Sequence, residues 1–166
     1  MRTTRADQYR RWYEYEIDSH VKTVESLRAS QAAHGGEALW QKAVDLLAHV
    51  AAARRLWLFR LGWTTRPPVD VFPRGVRLPD AERDLVDVER EWSVILAGLT
   101  DGDLDREFEY ASLEGPRFRN RVEDILAQLF GHSWYHRGQI AQLVRSAGAE
   151  PAVTDFVYWT REALGD

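Results

Sequence analysis

Two histidines, His132 and His136, stand four residues apart in the segment GHSWYHRGQI. On a helix this spacing places both side chains on one face, where the two rings can reach a single metal ion. One histidine on an inner helix face is usually a hydrogen-bonded packing residue. Two on successive turns are harder to satisfy, because each neutral imidazole needs a partner for both of its nitrogens. Metal ligands and paired packing residues therefore both stay open as interpretations.

A convincing site needs a third ligand, and His49 is the strongest candidate, on the inner face of another predicted helix. Asp45 lies one turn earlier and is either an acceptor that orients His49 or a solvated carboxylate. The chain contains no cysteine, so any metal must be held by nitrogen and oxygen atoms. Ser133 follows His132 where the helical metalloprotease motif has a glutamate, so the pair is not that motif.

Apolar residues recur at three- and four-residue steps along four long segments. They predict helices over about residues 5–29, 37–61, 80–99 and 120–147. On the first helix the expected inner stripe consists of Tyr9, Trp12, Tyr13, Ile17, Val21, Val24 and Leu27. Asp80 is the expected N-cap of the third helix, and Asn120 with Glu123 resembles a capping box at the start of the last.

The connections are less regular than the helices. Four prolines between Gly62 and Pro79 predict a loop that is longer than adjacent helices require, so it is expected to cover something. Alternation around Phe108 and Tyr110 predicts a short hairpin before the last long helix. We therefore predict an all-α fold, a four-helix bundle with that hairpin, in a single domain over residues 1–166.

Composition excludes several classes of function. The formal net charge is −4 and the basic residues are interleaved with acids, so no nucleic-acid partner is expected. The most apolar long segment, LLAHVAAARRLWLFRLGW, is interrupted by three arginines and is too charged to span a membrane. The N-terminal residues carry no apolar signal core, and the lack of cysteine is compatible with a cytoplasmic location, which we expect.

The segment GHSWYHRGQIAQLVRSAGAEPAVTDF resembles the closing signature of the DinB superfamily, the damage-inducible and YfiT-like metalloproteins. LLAHVAAARRLWLFRL, LTDGDLDREFEYASLEGPRF and QYRRWYEYEIDSHVKTVESL are similar to the family's second helix, connection and opening helix, so the resemblance covers nearly the whole chain. It implies an up-up-down-down bundle, a homodimer and a divalent metal, zinc or nickel. Carried onto this chain, the implied ligands are His49, His132 and His136.

The chain departs from some relatives where they have an acidic residue one turn after the first histidine. Here Ala53 and Arg54 stand instead, so a general base at that place cannot be carried over. Arg54 either contacts an anionic substrate or is a solvated helix residue. Gln139 is either a substrate contact or a packing residue, and for Arg137 we favour an interhelical ion pair. Further candidates for a pocket around the metal, each also explicable as packing, are Tyr13, Trp57, Tyr110 and Tyr158.

Two classes of function follow. Three histidines leave coordination positions open, which is the pattern of a catalytic metal. The resemblance makes transfer of a low-molecular-weight thiol to a small electrophilic substrate the first hypothesis and metal-dependent hydrolysis the second; the catalytic residues are unknown. The alternative is a non-catalytic bundle that binds a small molecule or a protein in a stress response. Tyr15 and Trp134, away from the inner stripes, add to the expectation of a homodimer.

Overall fold

The computed structural model describes residues 3–164. Helices account for most of this chain and a single two-stranded sheet for the rest of its regular structure, so the mostly helical prediction is confirmed. The elements are α1 (Arg5–His34), α2 (Ala38–Arg60), α3 (Leu78–Gly98), α4 (Asp101–Asp105), β1 (Glu107–Ala111), β2 (Arg117–Arg121), α5 (Val122–Ser146) and α6 (Phe156–Thr160).

The hairpin is present, but the two predicted N-caps, Asp80 and Asn120, are wrong. β1 and β2 pair antiparallel, with Tyr110 opposite Phe118. Asn120 belongs to β2 and accepts a hydrogen bond from the Tyr110 hydroxyl, so the chain runs from the strand directly into α5. Asp80 does not cap α3 but lies in its first turn, where a carboxylate favours the helix dipole.

The helix directions follow from the contacts between helices. A short turn after α1 sends α2 back along it, and the Trp40 indole donates to the Leu27 carbonyl. The long connection after α2 then returns along the molecule, because the Val76 amide donates to Asp45. Further along both helices, the Trp92 indole donates to the Arg54 carbonyl, so α2 and α3 are parallel.

The last long helix runs parallel to the first. Near their starts Arg5 of α1 donates to Glu123 of α5, and further along Arg137 of α5 donates to Glu16 of α1. The order of directions is therefore up-down-down-up, and the expected up-up-down-down order is wrong. The physical reason is the position of the long connection, which lies between α2 and α3 and leaves α1 and α2 joined by a tight turn.

The core lies between the four long helices. In the bundle α2 packs against α3 and α5, and α1 packs against the same two helices. Fully buried side chains from all four fill the interior, among them Leu27, Leu47, Leu85, Trp92 and Leu129. Within the described residues, no helix combines the length and the apolar character needed to cross a membrane.

Candidate metal centre

Three histidines meet between α2 and α5. His49 lies in the middle of α2, and His132 and His136 lie on successive turns of α5. The Nε2 atom of His132 is 3.1 Å from the Nε2 atom of His49 and 3.1 Å from that of His136. One ring nitrogen of each histidine lies within 4.8 Å of the others. The structure thus brings together the three residues that the spacing and the resemblance singled out.

Hydrogen bonds at the far side of two rings determine which nitrogens face inward. His49 Nδ1 lies 2.6 Å from the Val71 carbonyl oxygen, which can only accept, so this nitrogen carries the proton. His136 Nδ1 lies 2.7 Å from Gln139 Oε1 and donates to it. The Nε2 atoms of both rings therefore present lone pairs toward His132. This is the tautomer that a metal-binding histidine needs.

His132 cannot satisfy both of these lone pairs. Its Nε2 atom carries at most one proton, which can be donated to His49 or to His136 but not to both. At least one inward lone pair is therefore left without a protein donor. A divalent cation would accept from all three rings at once. The two 3.1 Å separations are also close to the about 3.3 Å expected between nitrogens of a tetrahedral zinc site.

The protonation states suit cation binding. Burial lowers the pKa of His132 to about 4, and the neighbouring His136, His49 and Arg54 act in the same direction. Burial also lowers the pKa of His136, although the hydrogen bond to Gln139 opposes this. Both rings are accordingly neutral at pH 7, and a neutral imidazole is the form that binds a metal. Proton and cation would compete for the same lone pairs.

The long connection between α2 and α3 covers one side of the site. Besides the Val71 carbonyl, it supplies Phe72, whose ring stacks on His49 with 5.0 Å between centroids and 14° between planes. On the other helix the exposed ring of Tyr135 lies against His136. All three histidines are half-buried, so the site is open to solvent on one side.

Asp45 does not orient His49, and that interpretation is wrong. Its Oδ1 atom accepts from the Gln41 side chain at 2.9 Å and from the Val76 amide at 3.0 Å. Asp45 thus anchors the end of the connection that carries Val71. A backbone carbonyl, that of Val71, takes the orienting role that one of the two interpretations gave to Asp45.

Arg54 is neither a solvated residue nor free to bind a substrate anion. It is buried, and its Nη2 atom donates to Glu16 Oε2 at 2.5 Å and to Ser133 Oγ at 3.0 Å. Arg137 donates to the other oxygen of Glu16, which confirms the interhelical ion pair. Gln139 has a third role that was not expected, as the acceptor for His136.

The four aromatic candidates are spread over the molecule. Tyr13 is buried and donates to the Glu89 carbonyl, as a packing residue would. Trp57 and Tyr110 pack edge to face, with Arg60 lying over both rings, at the end of α2 beside the hairpin. Tyr158 is half-exposed on α6 and lies beneath Arg161. Their contacts account for them without a ligand.

The two residues that suggested a dimer surface differ in exposure. Tyr15 is buried by the chain's own tail, because Phe156 and Trp159 of α6 pack edge to face against its ring. Its hydroxyl donates to the Thr154 carbonyl. Trp134 is 42% exposed, so it alone of the two remains available to a partner.

Sequence reasoning missed three contributors: Glu16, the Val71 carbonyl and the Phe72 ring. Tyr13, Glu16, His20 and Val24 follow one another at steps of three, four and four residues, and all are buried. This helical spacing was the signal that could have placed Glu16 on the inner face of α1. His20 donates to Glu89 and lies beside Glu16 rather than at the histidine site. A main-chain carbonyl in a loop leaves no signature in the sequence.

A helical fold with three converging imidazoles defines a candidate metalloprotein with open coordination positions. The model of the DinB family matches residues 1–163. The chain therefore belongs to the DinB family, as its closing signature suggested. Neither the curated proteins nor the solved structures provide a match to it.

Proposed function

We propose that this DinB-family chain binds one divalent cation, zinc or nickel, through His49, His132 and His136. The observation that carries the proposal is the pair of inward Nε2 lone pairs that His132 cannot both satisfy. Imidazole nitrogen suits zinc and nickel, and the cluster offers no thiolate or carboxylate that would select another class of metal.

The first test is metal content. Protein purified without a histidine tag should contain close to one equivalent of a divalent metal by elemental analysis. Loss of any one of the three histidines should reduce the affinity for zinc and nickel. Stoichiometric metal in two of the three alanine variants would show that the three-histidine site is wrong.

We further propose that the protein is an enzyme that transfers a low-molecular-weight thiol to a small electrophilic substrate. A bound divalent cation would act as a Lewis acid and lower the pKa of a coordinated thiol or water. The chain has no cysteine, so the thiol must arrive as a substrate. In the transfer a sulfur–carbon bond forms, the bond from that carbon to its leaving group breaks, the leaving group takes the electron pair, and the thiol proton passes to solvent.

The chain's own residues position and shield this reaction. Val71 and Gln139 hold His49 and His136 with their Nε2 atoms inward, and Phe72 covers the His49 ring on one side. Among the described residues the buried carboxylates are Glu16 and Glu89, and both are engaged by arginine or histidine. Hydrolysis would need a base for the attacking water, and this engagement favours thiol transfer over hydrolysis.

The test is turnover by metal-loaded protein of a panel of electrophiles, with and without cellular thiols. Metal-dependent conjugation that is absent from the His132→Ala variant supports thiol transfer. Equal turnover without any thiol would replace it with hydrolysis, the second candidate. No turnover across a broad panel would favour a non-catalytic, stress-related binding protein, in which the metal stabilises the fold.

We also propose a cytoplasmic homodimer. Exposed Trp134 and its neighbour Tyr135 place apolar surface on α5, and the family resemblance points to a dimer. Small-angle scattering at tens of micromolar should give twice the mass of the 19.2 kDa chain. A monomer mass would reject this.

A further inference from the structure

A buried polar cluster lies beside the histidine site and joins three of the long helices. We call Glu16, Arg54, Ser133 and Arg137 the Glu16 cluster; their relative exposures are 0%, 2%, 0% and 5%. Glu16 projects from α1, and each of its carboxylate oxygens accepts from a different guanidinium. Oε2 accepts from Arg54 of α2, and Oε1 accepts from Arg137 of α5.

The carboxylate is ionised, which makes these contacts strong. Burial alone would raise the pKa of Glu16, but the electrostatic influence of Arg54, His20 and Arg137 outweighs burial and holds this pKa below its usual range. Hydrogen bonds between ionised groups are shorter and about twice as strong as those between neutral groups. The guanidinium of Arg54 also packs over the Tyr13 ring, 5.4 Å from its centroid.

The cluster contacts α2 and α5 within about one and a half turns of every candidate ligand. Ser133 and Arg137 directly follow His132 and His136 in the chain, and Arg54 is five residues beyond His49. Arg54 also donates to Ser133 at 3.0 Å, so α2 and α5 are joined both directly and through Glu16. Sliding or rotation of α2 against α5 would break these bonds.

We propose that Glu16 is a positioning residue for the histidine site: its carboxylate fixes α2 against α5 and so sets the separation of His49 from His132 and His136. The metal part of this inference rests on the proposed function. Glu16 touches none of the three histidines, so it acts through Arg54 and Arg137. A buried ion pair contributes little net stability compared with apolar residues, whereas directed bonds between helices give a defined position.

Glu89 provides a matched control. It is also a buried carboxylate, 8% exposed, and it accepts a hydrogen bond from His20 Nδ1 at 2.7 Å. Its side-chain ion pair joins α3 to α1 and leaves α2 and α5 alone. Glu16→Gln and Glu89→Gln each remove one buried charge of the same size, and only the first weakens the link between the ligand-bearing helices.

The first experiment is cobalt(II) titration of both variants, followed by visible absorption. For Glu16→Gln we expect the Co(II) dissociation constant to rise about ten- to hundredfold and the ligand-field bands to change. For Glu89→Gln we expect both to stay as in the unaltered protein. Equal losses in the two variants, or no loss in Glu16→Gln, would overturn the inference, because a general loss of stability would not distinguish the two carboxylates.

A second measurement needs no metal. The chain has no cysteine, so spin labels can be placed at Lys42→Cys on α2 and Gln142→Cys on α5, both exposed. In the metal-free protein Glu16→Gln should shift or broaden the distance between the labels, and Glu89→Gln should not. If the unaltered protein failed to bind Co(II), the proposed function would fall, and this distance would still decide whether Glu16 positions the helices.

A third variant covers the case in which Glu16→Gln does not fold. The triple substitution Glu16→Leu, Arg54→Met, Arg137→Met replaces all the charges with apolar groups of similar length, which is often neutral for stability. We expect it to fold and to show weakened Co(II) binding and a broadened label distance. Co(II) affinity and label distance equal to those of the unaltered protein would overturn the inference.

Discussion

The histidine site and the Glu16 cluster join the same two helices, α2 and α5, in opposite ways. In the Glu16 cluster two donors of positive charge meet one carboxylate, and both of its oxygens are used. At the histidine site acceptor lone pairs converge on one another and no opposite charge is present in the group. In the first cluster the protein itself supplies donors to both carboxylate oxygens, although Nε of Arg54 and Nε of Arg137 have no partner among the described residues. In the second cluster the same part of the chain does not supply such donors to all of the converging lone pairs.

The two clusters differ in exposure as well as in chemistry. Glu16 and Arg54 are almost fully buried, whereas His49, His132 and His136 are half-buried. A buried charge needs a fixed partner from the protein itself. A site that takes a ligand from solution needs an opening and unsatisfied atoms. The comparison therefore separates polar residues that stabilise the packing of helices from polar residues that are able to bind a ligand. Substitutions in either cluster can test it.

The largest expected effect is on the Glu16 cluster. Arg54→Met leaves Arg137, within the described chain, as the one remaining hydrogen-bond donor to the buried carboxylate, and we expect the free energy of unfolding to fall by about 3–5 kcal/mol. Urea denaturation in the presence of a chelator measures this without a contribution from metal. The triple apolar substitution of the cluster should recover most of the loss. A loss below about 1 kcal/mol would show that the cluster behaves as a surface ion pair.

The next effect is on the histidine site and requires metal. Zinc at about 100 times its dissociation constant should stabilise the folded protein by about 2.7 kcal/mol, and a chelator should remove this. The His132→Ala variant should show no such stabilisation. His34→Ala is the control, since His34 ends α1 and pairs with Glu37 away from the site. Equal metal-induced shifts in both variants would refute the site.

A smaller effect is expected from the group that orients His136. Gln139→Leu removes the acceptor of the His136 Nδ1 proton and leaves all three rings in place. We expect metal affinity to fall about tenfold, the lower end for loss of such an orienting partner. Isothermal titration with zinc measures this. If the affinity were unchanged, the tautomer of His136 would be set by something other than Gln139.

The sequence predicted what apolar periodicity and residue type encode. The four long helices, the hairpin and the meeting of three histidines all follow from spacing and were correctly anticipated. One residue of the predicted α1 stripe was misplaced: Ile17 packs against the core as expected, but Val21 is 50% exposed, while Glu16 and His20 are buried. The predicted stripe followed the apolar residues, whereas the regular helical spacing of three and four residues leads to Glu16 and His20. That spacing was the better predictor of burial, because a buried charge is stable once a partner on another helix supplies its counter-charge.

Other errors concern features that residue types and their spacing do not encode. The direction of α3 depends on the path of the long connection, which runs back along α2 before α3 begins. The orienting group of His49 is a main-chain carbonyl, and every residue has one, so no residue type could reveal Val71. An orienting carboxylate one turn from His49 was one of the two interpretations left open, on the basis of metal-site chemistry. In the structure Asp45 instead accepts hydrogen bonds from the Gln41 side chain and the Val76 amide.

The smallest effect tests that correction directly. Asp45→Asn keeps the side chain's shape and its Oδ1 acceptor for the Val76 amide, and it removes the charge. If Asp45 only anchors the connection, stability should change by no more than about 1 kcal/mol, the scale of one net hydrogen bond. Zinc affinity should stay within about twofold, as expected for groups that share no contact. If Asp45 oriented His49, its substitution should lower zinc affinity about tenfold, as expected for Gln139. A tenfold loss of zinc affinity in Asp45→Asn would therefore show that Asp45, and not the Val71 carbonyl, orients His49.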